Sequence, residues 1–176
     1  MKQLLIPVTA LFFLAACNDS AKVASTSDTT NTNAPGAAPD SAQAKTDIAT
    51  LVNTVHNGFR QKDLSAIEKS MTADALVLGT DPTEVWEFNR FRDSIQKFFA
   101  DTSFHGLQYE VPNHQIAVHG NSAIIIDQFQ LNDISKKMMT RNIAHARYEN
   151  GKWLLDLFSW NLVPTNRDVP KIDKAL

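Results

Sequence analysis

The sequence contains a single cysteine, Cys17, among its 176 residues. One cysteine excludes an internal disulfide and any metal site built from several thiolates. The chain also has no basic excess, because 17 basic side chains face 19 acidic ones and the formal net charge is −2. A general nucleic-acid surface needs clustered positive charge to neutralise phosphates, so no nucleic-acid partner is expected. Nucleophile-elbow, phosphate-loop and zinc-binding motifs are absent as well.

The first 16 residues have the layout of a short signal peptide. Lys2 gives a positive start, and an apolar run extends from Leu4 to Leu14, too short to span a bilayer permanently. The run ends in Leu14-Ala15-Ala16-Cys17, which resembles the lipobox of bacterial lipoproteins. The resemblance implies that residues 1–16 are removed and that a lipid on Cys17 anchors the protein in the cell envelope. Asn18 after the cysteine favours the outer over the inner membrane.

Residues 17–43 differ in composition from the rest of the chain. Small and polar residues dominate, with no apolar periodicity, so this stretch cannot bury enough surface to offset the entropy of ordering. We expect a disordered linker that carries the domain away from the lipid headgroups. The domain itself is predicted at residues 44–164, followed by a polar, frayed tail at residues 165–176.

The domain begins with helical patterns and continues with strand patterns. Residues 44–61 place five apolar side chains on one helical face: Ile48, Leu51, Val52, Val55 and Phe59. Asp63 can cap a second short helix, a short strand follows at 75–79, and Asn89 is predicted to cap a third helix. After residue 103 the period becomes two, and Asn150-Gly151 signals a hairpin before a strand that is apolar on nearly both faces. Helices followed by an antiparallel meander indicate an α+β fold.

Several short motifs resemble SnoaL-like domains of the nuclear-transport-factor-two-like superfamily. They are Gly79-Thr80-Asp81-Pro82, then Glu84 and Trp86 before a helix, Arg141 in a strand, and Gly151-Lys152-Trp153 before an apolar last strand. The similarity spans about residues 46–164. It implies a cone in which N-terminal helices pack in the concave face of a curved antiparallel sheet, with an open pocket and no cofactor. The chain has Ser159 and Asn161 where a His and a Ser are common.

Asp127 is the most informative candidate site residue, because a carboxylate in the middle of an apolar strand face is costly unless it is paired or protonated. If the hairpin turns near Ser135, Asp127 lies diagonal to Arg141 and His145, within reach of either side chain. The sequence therefore predicts that Asp127 points into the cone with Arg141 or His145 as its partner. An ion pair with Arg141 favours structure or ligand anchoring, whereas a raised pKa would suit proton transfer.

The remaining candidates are aromatic and polar residues on the predicted strands. His56 lies beside the apolar stripe of the first helix and is interpreted as structural. No metal site is expected, and no catalytic residue is assigned. The predicted ligand pocket comprises Trp86, Tyr109, His114, Asp127, Arg141, His145 and Ser159.

Three functions remain open at this point. The first is a small-molecule-binding lipoprotein with an apolar or aromatic ligand. The second is an isomerase, cyclase or dehydratase that uses Asp127 with His145 or Arg141. The third is a protein-interaction module with a filled pocket. A homodimer through the convex face of the sheet is also predicted, because the last strand is apolar on both faces and a soluble monomer rarely exposes a large apolar patch.

Overall fold

The computed structural model describes residues 40–175. The predicted signal peptide, the predicted lipidation site Cys17 and all but the end of the predicted linker lie outside the described residues. In chain order the elements are α1 (Ser41–Gln61), α2 (Leu64–Ser70), β1 (Met71–Leu78), β2 (Val85–Glu87), α3 (Phe88–Ala100), β3 (His114–His119), β4 (Ser122–Phe129), β5 (Met139–Glu149), β6 (Lys152–Val163) and α4 (Val169–Asp173).

Helix α1 forms as its apolar periodicity predicts. Ile48, Val52 and Val55 are fully buried and Phe59 is 4% exposed, so the predicted stripe faces the core. The carboxylate of Asp40 accepts hydrogen bonds from the backbone amides of residues 42 and 43, at 2.9 and 3.1 Å. This cap satisfies amides that the first helical turn leaves without partners. The helix therefore begins at residue 41, three residues before the predicted start of the domain.

One six-stranded sheet provides the surface against which the helices pack. The strand order is β2-β1-β6-β5-β4-β3. Strands β3 to β6 form the predicted antiparallel meander, and β6 lies inside the sheet, as its two apolar faces require. Strand β1 pairs with β6 in parallel, which the sequence patterns did not predict. Parallel neighbours need a long crossover, and the chain between these strands supplies it.

The two faces of the sheet have different environments. The inner face packs against the helices and carries the core side chains Ala123, Ile125, Phe129, Ala144, Ala146, Leu155, Phe158 and Trp160. The outer face leaves Leu76, Ile124 and Ile143 between 37% and 46% exposed. Pairing of two copies through this face stays a prediction.

The C-terminal segment is not entirely irregular. Residues 169–173 form one short helical turn, α4, with no buried residue. Across residues 40–175, none of the helices combines the length and the apolar character that crossing a bilayer would require.

Candidate functional site

Asp127 lies at the centre of a buried hydrogen-bond network on the inner face of the sheet. In the strand register it stands between His114 of β3 and Asn142 of β5. Its side chain is fully buried and accepts three hydrogen bonds, from His56 Nε2 at 3.0 Å, His114 Nδ1 at 2.6 Å and Asn142 Nδ2 at 2.9 Å. The network therefore joins α1 to three neighbouring strands, β3, β4 and β5.

The network continues from His56 to Tyr109. The two side chains meet at 2.8 Å, between His56 Nδ1 and the phenol oxygen. Because the carboxylate of Asp127 can only accept, His56 donates from Nε2, and its Nδ1 is then free to accept the Tyr109 hydroxyl proton. Arg60 also donates to the backbone carbonyl of Tyr109 at 2.9 Å, which holds this irregular segment against α1. His56 thus donates to Asp127 and accepts from Tyr109.

The electrostatics of the network favour an ionised carboxylate beside a neutral His56. Burial by itself would raise the pKa of Asp127, but the hydrogen bonds from His114, His56 and Asn142 outweigh it and lower that pKa to about 2. Burial lowers the pKa of His56 below its usual 6.5 and raises the pKa of Tyr109. A carboxylate with a pKa near 2 is a poor proton acceptor at neutral pH. The arrangement therefore suits structural support better than general base catalysis.

The predicted partners of Asp127 were wrong. Asp127 lies opposite Asn142, so the even-numbered residues of β5 share its face and the odd-numbered residues, Arg141 and His145, point to the outer face. Arg141 donates to Gln128 at 3.3 Å. A hairpin centred on Ser135 would pair Asp127 with Ile143, whereas the structure pairs it with Asn142. This shift of one residue in the register exchanges the two faces of the strand.

His145 has its own partners on the outer face of the sheet. Its Nδ1 lies 2.5 Å from Asp156 Oδ1, and its Nε2 lies 2.6 Å from Ser122 Oγ. Ser159, another predicted pocket residue, lies opposite Ile143 and is 7% exposed. Its hydroxyl accepts a hydrogen bond from Asn161 at 3.1 Å. These side chains are separated from Asp127 by the sheet itself.

A cavity of about 720 Å³ opens between β1, β2, α3, the segment 103–108 and the inner face of β6. Seven aromatic side chains line it: Phe59, Trp86, Phe91, Phe98, Phe104, Phe158 and Trp160. Val77, Leu78, Ile95, Leu107 and Ile134 add aliphatic surface. The polar members are Thr80, Glu84, Ser94, Ser103, His105, Gln108 and Asp133. The volume and the lining match those of small-molecule sites, which are largely apolar with a few polar groups.

Of the seven predicted pocket residues, Trp86 lines this cavity. Tyr109, His114 and Asp127 belong to the buried network instead, which lies behind the cavity wall: the His56 ring is 6.0 Å from Phe158, and the Tyr109 ring is 6.1 Å from Trp160. Phe91, Ile95 and Phe98 of α3 and Asp133 also line the cavity, and none of them was among the predicted pocket residues. The sequence feature that pointed to this cavity was the motif at residues 79–86, because Gly79, Thr80, Glu84 and Trp86 all line the cavity.

Residues 40–175 contain no group of three or more His, Cys, Asp or Glu side chains arranged to hold a metal ion. The sequence model of the SnoaL-like domain matches residues 48–156, more than half of the chain. The chain belongs to the SnoaL-like domain family. Among proteins with curated functions, none matches this sequence.

Solved structures share the fold of this SnoaL-like domain at low sequence identity. An NTF2-like protein of unknown function from Pseudomonas putida KT2440 is 14% identical, with a TM-score of 0.58 over 69% of this chain and 87% of that chain. A protein with a cystatin-like fold from Nostoc punctiforme is 17% identical, with a TM-score of 0.57 over 70% and 94%. A DUF3225 family protein from Pectobacterium atrosepticum is 16% identical, with a TM-score of 0.59 over 73% and 99%. These likenesses establish the cone-shaped fold and leave function to the site itself.

Proposed function

We propose that the SnoaL-like domain binds a small apolar or aromatic molecule in its cavity without converting it. The observation that carries this proposal is the aromatic wall around about 720 Å³ of open space. A filled cavity would have favoured the interaction module, and this cavity is open. Burial of an apolar ligand against such a wall supplies roughly 25 cal/mol for each Å² of apolar surface removed from water.

The position of the histidine–carboxylate pairs counts against the catalytic pairs predicted from the sequence. The histidine–carboxylate pairs of residues 40–175 are formed by His56 and His114 with Asp127, and by His145 with Asp156. None of these five residues lines the cavity. A general acid or base has to come within hydrogen-bonding distance of the reacting atom, directly or through one water. The isomerase-type alternative that used Asp127 with His145 or Arg141 therefore loses its proposed pair.

A substitution that fills the cavity tests the binding site. Ser94 lines the cavity from α3, so Ser94→Phe should occupy part of the ligand volume. Binding of the neutral dye N-phenyl-1-naphthylamine to the full-length protein is followed by its fluorescence. We expect saturable binding at one site and at least a tenfold larger Kd in Ser94→Phe, a loss of about 1.4 kcal/mol.

Gln96→Phe serves as the matched control, because Gln96 lies on the same helix but is exposed and does not line the cavity. Its Kd should equal that of the wild type. Equal dye affinity in all three proteins would contradict binding in this cavity.

We also propose that the domain is tethered to the cell envelope through a lipid on Cys17. The support is the lipobox-like sequence Leu14-Ala15-Ala16-Cys17 after a short apolar run. Cys17→Ala should abolish incorporation of labelled fatty acid and release the protein from the membrane fraction, because stable anchoring depends on the acyl chains. Fractionation and fatty-acid labelling check this. A Cys17→Ala protein that stays acylated and membrane-bound would overturn the tether.

A further inference from the structure

The ionisable side chains of the cavity wall are mostly acidic. The lining contains two carboxylates, Glu84 and Asp133, one histidine, His105, and no Lys or Arg. Lys62 is nearby, but its ammonium donates to the backbone carbonyls of Asp101 and Phe104 at 3.1 and 2.9 Å, and it does not line the cavity. A ligand in this cavity therefore meets negative charge and aromatic faces, with no lysine or arginine to pair with a negative group.

Neither carboxylate is neutralised within the part of the chain that the structure describes. Each accepts a backbone amide: Glu84 from Asp81 at 3.1 Å, and Asp133 from Gln108 at 3.3 Å. Among residues 40–175, neither is joined to a Lys, Arg or His in an ion pair. The remaining lone pairs of these carboxylate oxygens can accept hydrogen bonds from a bound ligand.

Gly79 helps to fix the position of the Glu84 carboxylate. A Cβ built on Gly79 would collide with Oε2 of Glu84, so the missing side chain makes the room in which this carboxylate lies. Gly79 also donates its amide to the Glu84 carbonyl at 2.9 Å. Glu84 is only half-buried, and it is held at the cavity wall instead of extending freely into solvent.

We propose that the cavity selects organic amines in their cationic form, with an apolar or aromatic body and an ammonium group that pairs with Glu84 or Asp133. The inference rests on the proposed binding function and adds the charge class of the ligand. Aromatic faces attract cations through the ring quadrupole, and the two carboxylates add Coulomb attraction. The same wall repels carboxylic acids of equal size in their anionic form, and repulsion of the wrong ligand is a direct source of specificity.

Three naphthalene compounds with a single variable substituent test the charge selection. They are 1-naphthylmethylamine, 1-naphthylmethanol and 1-naphthoic acid, which at pH 7 are cationic, neutral and anionic. Each competes with N-phenyl-1-naphthylamine for the full-length protein. We expect the amine to bind at least fivefold more tightly than the alcohol, and the acid to bind most weakly.

Variants locate the source of the preference. Glu84→Gln combined with Asp133→Asn should reduce the amine-to-alcohol ratio to about one, and a cooperative thermal unfolding transition shows independently that this variant is folded. Glu87→Gln, which removes an exposed carboxylate three residues away and outside the lining, should keep the wild-type ratio.

The outcomes separate the two proposals. Equal affinity for amine and alcohol in the wild type, or tightest binding of the acid, would overturn the charge selection while cavity binding stands. Absence of binding by the dye and by all three compounds would overturn the binding function together with the inference that depends on it.

Discussion

Replacing Asp127 by Asn should lower the free energy of unfolding by about 3 kcal/mol. The three side chains that donate to Asp127 need acceptors in a site with no exposure to solvent. An amide offers one oxygen and places its own donor against at least one of theirs. If His56 reversed its roles, its Nδ1 would donate to the Tyr109 oxygen, and the Tyr109 hydroxyl proton would lose its present acceptor. Chemical denaturation of the full-length protein measures the loss.

Asp74→Asn is the matched control for this substitution. Asp74 is also a hydrogen-bonded carboxylate, with Arg147 at 2.7 Å, but the Asp74 side chain is 66% exposed. Exposed ion pairs contribute little because water and salt screen them, so Asp74→Asn should lower the free energy of unfolding much less than Asp127→Asn. Folded Asp127→Asn should still bind the dye, since the network lies behind the cavity wall. If Asp127→Asn is as stable as the wild type but has lost ligand binding, the structural role assigned to the network is wrong.

The same network sets the acid sensitivity of the fold. The pKa of His56 is lower in the folded protein than in the unfolded chain, so the unfolded state binds more protons and stability falls as pH drops below about 6.5. The pKa of Asp127 falls from 3.8 to about 2 on folding, so its contribution of about 2 kcal/mol is present above pH 3.8 and is lost as pH falls towards 2. Asp127→Asn should remove this second, most acidic part of the pH dependence.

Gly106→Ala should destabilise the protein by about 3 kcal/mol and weaken dye binding. Gly106 has φ +89°, a conformation that costs other residues about 1–2 kcal/mol, and a Cβ there would collide with the backbone carbonyl of Arg60 at the end of α1. Displacement of packed backbone adds about 1–3 kcal/mol. Gly106 and the following Leu107 line the cavity, so the displaced segment would also change its shape.

Gly120→Ala isolates the steric part of this effect. Gly120 also has a positive φ, +60°, but a Cβ there would meet no atom within 4 Å. Its substitution should therefore cost about 1–2 kcal/mol, the conformational term alone. Equal thermal and chemical stability of the two variants would mean that the approach of residue 106 to Arg60 does not constrain the fold.

The sequence predicted those features that depend on local periodicity. The stripe of α1, the cap by Asp63, the strands from β3 to β6 and the burial of Asp127 all follow from patterns within one element. The third helix was less well predicted: Asn89 lies inside its first turn, and Glu87 occupies the cap position without a side-chain cap bond. A helix cap is predicted from a single residue, whereas an apolar stripe is predicted from several residues at regular spacing, so the prediction of the stripe is better supported.

The candidate site was harder to predict because it depends on relations between distant elements. The sequence indicated that Asp127 needs a partner. Which residues of β5 share its face depends on the strand register, and a shift of one residue in that register moves every side chain of β5 to the opposite face. His56, one helix away, was interpreted as structural from its place beside the stripe, and no sequence spacing connects it to Asp127. The cavity wall is formed by side chains with the same apolar character as the core, so sequence alone does not distinguish surface that is left open from surface that is filled.

Native mass spectrometry of the full-length protein isolated from its own cells tests the central claim most directly. If the cavity is a binding site, the wild type should carry one small molecule per chain, which dissociates on gentle activation, and Ser94→Phe should lack it. A wild-type protein that carries no such molecule, with a spectrum that matches Ser94→Phe apart from the substitution, would contradict the claim that this cavity holds a ligand.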